Sequence, residues 1–104
     1  MLHLALHLLV PFLVARVFYS KLWLKALLIM LAGMLIDLDH LLATPIYDAG
    51  RCSVGFHPLH TIFPILLYVA LLGFRRTRLI GLGLTIHIVL DSLDCQTTNG
   101  VWFV

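Results

Sequence analysis

Glutamate is absent from the 104-residue chain, so any carboxylate chemistry must come from its five aspartates. Charge of either sign is scarce. Only 12% of residues are charged, where a soluble domain carries about a quarter, and 62% are hydrophobic, where about 45–50% is usual. With a mean hydropathy of +1.05, this excludes an ordinary soluble domain. It points to an integral membrane protein of one domain, residues 1–104. The net charge of +2 says little about nucleic acid, because the basic residues are not gathered on a soluble face, and no nucleic-acid partner is expected. No small-residue cleavage pattern follows the first apolar run, so that run reads as a retained helix.

What is present is four apolar runs: Leu2–Tyr19, Trp23–Leu42, Leu59–Phe74 and Leu79–Leu93. A loop, Thr44–Pro58, carries Pro45, Gly50, Gly55 and Pro58, and Thr97-Thr98-Asn99-Gly100 closes the last run. Each run approaches the roughly 20 residues a helix needs to cross about 30 Å of hydrocarbon. The runs are too long and uniformly apolar for barrel strands. The expected fold is therefore all-α and integral to the membrane, an antiparallel bundle of four transmembrane helices with short connections. The short third run should tilt little or thin the bilayer locally.

Basic residues set the orientation. Arg16, Lys21 and Lys25 flank the first connection, and Arg75, Arg76 and Arg78 form the third, while Arg51 stands alone on the opposite side. This positive-inside bias places both basic turns in the cytoplasm and both termini outside. Tyr19 and Trp23 then mark the inner interface, and Tyr47 and Trp102 the outer.

On that topology His3, His7, Asp37, Asp39, His40, His57, His60, His87, Asp91 and Asp94 all fall on the outer half. Ionisable groups at membrane depth are costly and default to a functional reading. His3 and His7 are spaced i, i+4, His57 and His60 i, i+3, and His87, Asp91 and Asp94 form one helical stripe. Asp37 and His40 share a face, whereas Asp39 is turned about 200° from Asp37 on an ideal helix. Imidazole and carboxylate together suit zinc, manganese or iron, and paired ligands on several helices follow the logic of di-metal bundles. The expected metal ligands are His7, Asp37, His40, His57, His60, His87 and Asp91, holding one or two divalent transition ions, zinc favoured. Asp39 and Asp94 are the candidate general bases. Each group also has a plainer reading. His3 suits an interfacial histidine, His57 a helix start beside Pro58, His87–Asp91 an ion-paired brace, Asp94 a helix end and Asp48 a solvated loop acid.

A weak internal repeat pairs His7-x3-Pro11 with His60-x3-Pro64, and Asp37-x2-His40 with Asp91-x2-Asp94, at offsets of 53 and 54 residues. Two helical hairpins related by an axis along the membrane normal would produce it. Cys52 and Cys95 both fall outside, where they either form a disulfide or remain two thiols.

Asp37-x-Asp39-His40, His57-x2-His60-Thr61 and His87-x3-Asp91, in this order and with His7 on the first run, resemble the bacterial inner-membrane family of predicted metal-dependent hydrolases, the YdjM-like family. The resemblance covers nearly the whole chain. Ile36 stands where that family has proline, and Pro58-Leu59 where it has Arg-Gly. The His-x3-Asp element is more faintly similar to that of zinc-dependent phospholipases C. The resemblance implies metal-dependent hydrolysis, with His7, Asp37, Asp39, His40, His57, His60, His87 and Asp91 as matching positions.

The leading expectation is a hydrolase in the bacterial inner membrane, its site on the periplasmic side, acting on a membrane lipid or lipid-linked phosphoryl or acyl ester. Arg51 is the only cation near that site in the sequence that could meet a phosphate. A metal or proton transporter would need polar groups continuing into the cytoplasmic halves, which are almost wholly apolar. A haem-binding subunit would pair histidines without interleaved aspartates. A small structural subunit would leave the polar cluster unexplained.

Overall fold

The computed structural model describes residues 2–36, 52, 54, 55 and 57–103. They form four α-helices and no strand: α1 (Leu2–Phe18), α2 (Trp23–Ala32), α3 (Ile62–Leu71) and α4 (Arg78–Asn99). Short 3-10 turns, Ser20–Leu22, residues 33–36 and Pro58–His60, join or extend them. Asp37, Asp39, His40, Tyr47, Asp48 and Arg51 lie outside the described residues, as does the side chain of His3.

The long α4 is the axis of the molecule, packing against α1, α2 and α3, while α1 also packs on α2. The crossings are close because α4 lacks side chains where its neighbours pass. A Cβ added at Gly83 would sit 2.5 Å from the Met30 carbonyl oxygen and 2.6 Å from Met30 Cα. One at Gly81 would sit 2.8 Å from Leu71 Cβ. Small residues at such crossings let backbones meet, the usual device where a hydrophobic driving force between helices is missing.

The helices are less uniform than the apolar runs. At 22 residues, α4 alone among the described helices is long and apolar enough to cross a membrane by itself. The segments Ala5–Phe18 and Ser20–Ile36 pass the same test only as a pair, bent by 120°. The expected four helices are present, and the third, expected from the short third run, is shorter still: its ten residues rise about 15 Å. The cause is local. Thr61 is extended (φ −92°, ψ 173°), so the chain leaves Pro58–His60 before the helix begins. Pro64 then falls within the first helical turn, where a missing N–H costs nothing. In the second run, α2 gives way to a 3-10 turn at residues 33–36, where Gly33 meets Gly83.

The helix ends have identifiable partners. Between α3 and α4 the Thr77 hydroxyl donates to the Leu71 carbonyl (2.9 Å) and Arg78 Nε to that of Leu72 (3.0 Å), satisfying carbonyls that α3 leaves exposed. At the other end of α4, Gly100 takes a left-handed conformation (φ 75°), and its N–H bonds to the Gln96 carbonyl. The chain then folds back, and the Ser92 hydroxyl donates to the Trp102 carbonyl at 2.7 Å. Ala15, Ala26 and Met30 form one core with Leu79 and Leu82 packed on it, so the end of α1 and the starts of α2 and α4 share one end of the molecule. The second core, including Tyr68, Leu84, Ile88 and Cys95, lies towards the other.

Candidate metal centre

Asp91 is the hub. It sits on α4 one turn after His87, the i, i+4 spacing that puts two side chains on one face. His87 Nε2 lies 3.1 Å from Asp91 Oδ2. His60 Nε2, from the 3-10 turn before α3, lies 3.0 Å from the same oxygen and 3.3 Å from His87 Nε2. His7 Nε2, from the middle of α1, lies 3.0 Å from Asp91 Oδ1, and its ring meets that of His87 edge-on with centroids 4.5 Å apart. All four residues are buried. Ligand atoms of His7, His87 and Asp91 fall within 4.8 Å of one another and could hold a metal ion; His60, on Oδ2 beside His87, is outside that set.

The donor chemistry fits such an ion. Two imidazole nitrogens and a carboxylate, with the His60 imidazole beside them, are donors that zinc, manganese or iron accepts. Although Asp91 Oδ2 is close to two imidazole nitrogens, it makes no hydrogen bond of acceptable direction among the described residues. Imidazoles gathered to about 3 Å around one buried carboxylate are arranged as ligands of a shared cation would be.

Two features hold the histidines in place. The first is the fastening of the His60 turn. Its carbonyl accepts the Gly55 N–H (3.0 Å), its N–H donates to His57 (2.9 Å), and the Tyr68 hydroxyl reaches from α3 to the Leu59 carbonyl (2.8 Å). A Cys52–Cys95 disulfide, Cα atoms 4.9 Å apart, ties the loop to α4 one turn beyond Asp91. The second feature is Met34, which sequence reasoning missed. Its sulfur lies 3.3 Å from His87 Nδ1. In the tautomer with its proton on Nδ1, that sulfur is the weak acceptor and Nε2 is bare to face the cluster. Only tertiary packing brings Met34 and His87 together, so periodicity offered no signal for it.

His57 is buried beside His60, ring centroids 5.7 Å apart, without entering the 4.8 Å set. Asp94 is half-buried one turn past Asp91 and is not in that set either. The expected ligands Asp37 and His40, and the candidate base Asp39, lie outside the described residues.

Fold and cluster together define an all-helical protein with a buried histidine–aspartate site able to take a metal. The chain belongs to the family of unknown function DUF6122, which it matches over residues 1–98. No curated protein and no solved structure matches it.

Proposed function

We propose that the protein is a multi-pass membrane hydrolase, its metal centre on the periplasmic side of the bacterial inner membrane, acting on a lipid or lipid-linked ester. The observation that carries this reading is the convergence of His7, His60 and His87 on the two oxygens of Asp91. Zinc is favoured. Asp91 is engaged on both oxygens, which suits one ion or a carboxylate shared between two. The motif resemblance to the YdjM-like hydrolases agrees with this reading.

Placement in a membrane is supported by the outer faces of the helices, where Leu13, Leu28, Phe63 and Val89 are all exposed. A soluble monomer rarely shows apolar surface on this scale. The periplasmic side is supported by the disulfide, which persists in oxidising compartments. It is also supported by the basic residues gathered at the opposite end.

A divalent ion at the cluster would supply a Lewis acid and an activated water at neutral pH. The residues around it divide the remaining work. His7, His60, His87 and Asp91 would fix the position, and Asp94, half-buried on the turn after Asp91, is the proposed acceptor of a proton from water. The water oxygen bonds to the ester carbon or phosphorus, the bond to the alcohol oxygen breaks, and the alcohol leaves with that proton. Asp39 is the alternative carrier of the same proton.

The test is turnover of a panel of phosphoryl- and acyl-ester lipids by protein in bilayer discs, after chelation and after reloading with zinc, manganese or iron. Hydrolysis lost on chelation and restored by one of the metals supports the proposal. A fully loaded protein that turns over nothing on a broad panel overturns it. A C-terminal reporter that behaves as cytoplasmic would overturn the topology.

A further inference from the structure

His60 belongs to two places at once. Its Nε2 joins the cluster, and the residue also lines a groove of about 650 Å³ between α3, α4 and the C-terminal tail. That volume falls within the roughly 300–1,000 Å³ range of ligand sites. The groove walls are apolar: Val54, Ile65, Ile88, Val89, Trp102 and Phe103. The polar groups that line it are largely engaged. The Thr61 hydroxyl donates to the Pro58 carbonyl (2.8 Å) and the Ser92 hydroxyl to that of Trp102. Among the lining residues none is Asp, Glu, Lys or Arg, so the length of the groove suits an apolar chain.

The groove is also built. Its outer wall is the tail that Gly100 turns back and Ser92 pins to α4. Ile62, Val89 and Phe103 line it while remaining exposed, so it opens sideways onto the same apolar surface as Phe63 and Leu66. A ligand entering this way comes from the bilayer, is narrow and uncharged along its length, and ends at the turn of His60 and Thr61, behind which the buried imidazole joins the cluster.

We propose that the groove holds one fatty acyl chain of a membrane lipid with its carbonyl end at His60. The chain's place rests on the groove alone. The carbonyl's place rests on the metal reading above, and it narrows the substrate to a carboxylic ester.

The probe is palmitic acid carrying a photoreactive diazirine at mid-chain, added to delipidated full-length protein in detergent and mapped by peptide mass spectrometry. Label should concentrate on α3 around Ile65, on α4 around Val89 and on the tail. Excess unlabelled palmitate should compete, and inorganic phosphate should not. Val89→Trp fills the groove from an exposed position and Ile65→Trp from a half-buried one. Each should cut labelling at least tenfold while metal content and the disulfide stay at wild-type levels. A second probe, with the diazirine next to the carboxyl group, should label His60 or Thr61. Label spread evenly over Leu13, Leu28 and Phe63, or unchanged in both tryptophan variants, overturns the groove. Carboxyl-end label confined to Trp102 and Phe103 overturns the orientation. Protein without bound metal that still labels at Ile65 and Val89 supports the chain site while removing the hydrolase reading. Metal-loaded protein with diffuse label removes the groove and leaves that reading standing.

Discussion

Replacing Gly83 by alanine tests whether the α2–α4 crossing sets the geometry of the site. The added Cβ would lie 2.5, 2.6 and 2.9 Å from the carbonyl oxygen, Cα and carbonyl carbon of Met30. All three are backbone atoms, so no side chain can rotate away and the helices must separate. Overpacking of this kind costs about 1–3 kcal/mol, and a purely backbone clash belongs at the upper end. Alanine returns about 1 kcal/mol through its better helix propensity. The expected net loss is about 2 kcal/mol. Gly81→Ala should lose less, because its closest contacts are longer: 2.8 Å to Leu71 Cβ, itself fixed by the backbone, and 3.0 Å to Leu71 and Leu72 backbone atoms. Gly73→Ala meets only the Ala70 carbonyl at 3.4 Å and should be near neutral. Equilibrium unfolding of the three variants in mixed detergent would give the ranking. A Gly83→Ala protein as stable as wild type would refute the close crossing.

Two further predictions concern the supports of the cluster. Cys95→Ser, or reduction of the disulfide, removes a link closing a 43-residue separation. On chain-entropy grounds this is worth up to about 4 kcal/mol, so thermal unfolding with and without reductant should separate clearly, and coincident curves would count against the link. Met34→Leu keeps the volume but removes the sulfur beside His87 Nδ1. Loss of a group that orients a metal-binding histidine typically costs about 10–100-fold in affinity. Because sulfur is a weak acceptor the low end is expected, and a zinc titration showing unchanged affinity would rule out that role.

How far the sequence announced this structure varies along the chain. The His87–Asp91 stripe was legible because both residues lie inside one uninterrupted helix, where i, i+4 spacing dictates a shared face. His7 and His60 were legible through the cost of polar groups in apolar runs, and the cysteine pair through its placement on one side of the expected topology. The length of α3 was not. Hydropathy reports where side chains partition, and the run from Leu59 to Phe74 is uniformly apolar, yet its first residues lie in a 3-10 turn and an extended Thr61. The internal repeat illustrates the same limit. His7-x3-Pro11 lies inside α1, whereas His60 precedes α3 and Pro64 enters its first turn, so matching letters occupy different backbones. The carbonyl of His60, four residues before Pro64, is instead taken by the Gly55 N–H, a contact from across the loop that no spacing rule anticipates. The Met34–His87 contact likewise exists only once α2 and α4 have crossed.

The most direct test of the central claim is metal content, measured on protein purified without chelator, for wild type and for His7→Ala, His60→Ala, His87→Ala and Asp91→Asn. Asp91→Asn is the most informative because it removes the charge at nearly constant volume. The imidazoles left behind can be neutral, so no uncompensated buried charge remains and the fold should survive. Wild type should carry one or two transition-metal ions per chain. Asp91→Asn should lose at least about 100-fold in affinity, beyond what removal of a merely orienting group produces, and each alanine variant should be depleted as well. Stoichiometric metal in folded Asp91→Asn, or none in the wild type after exposure to zinc, manganese and iron, would contradict the account.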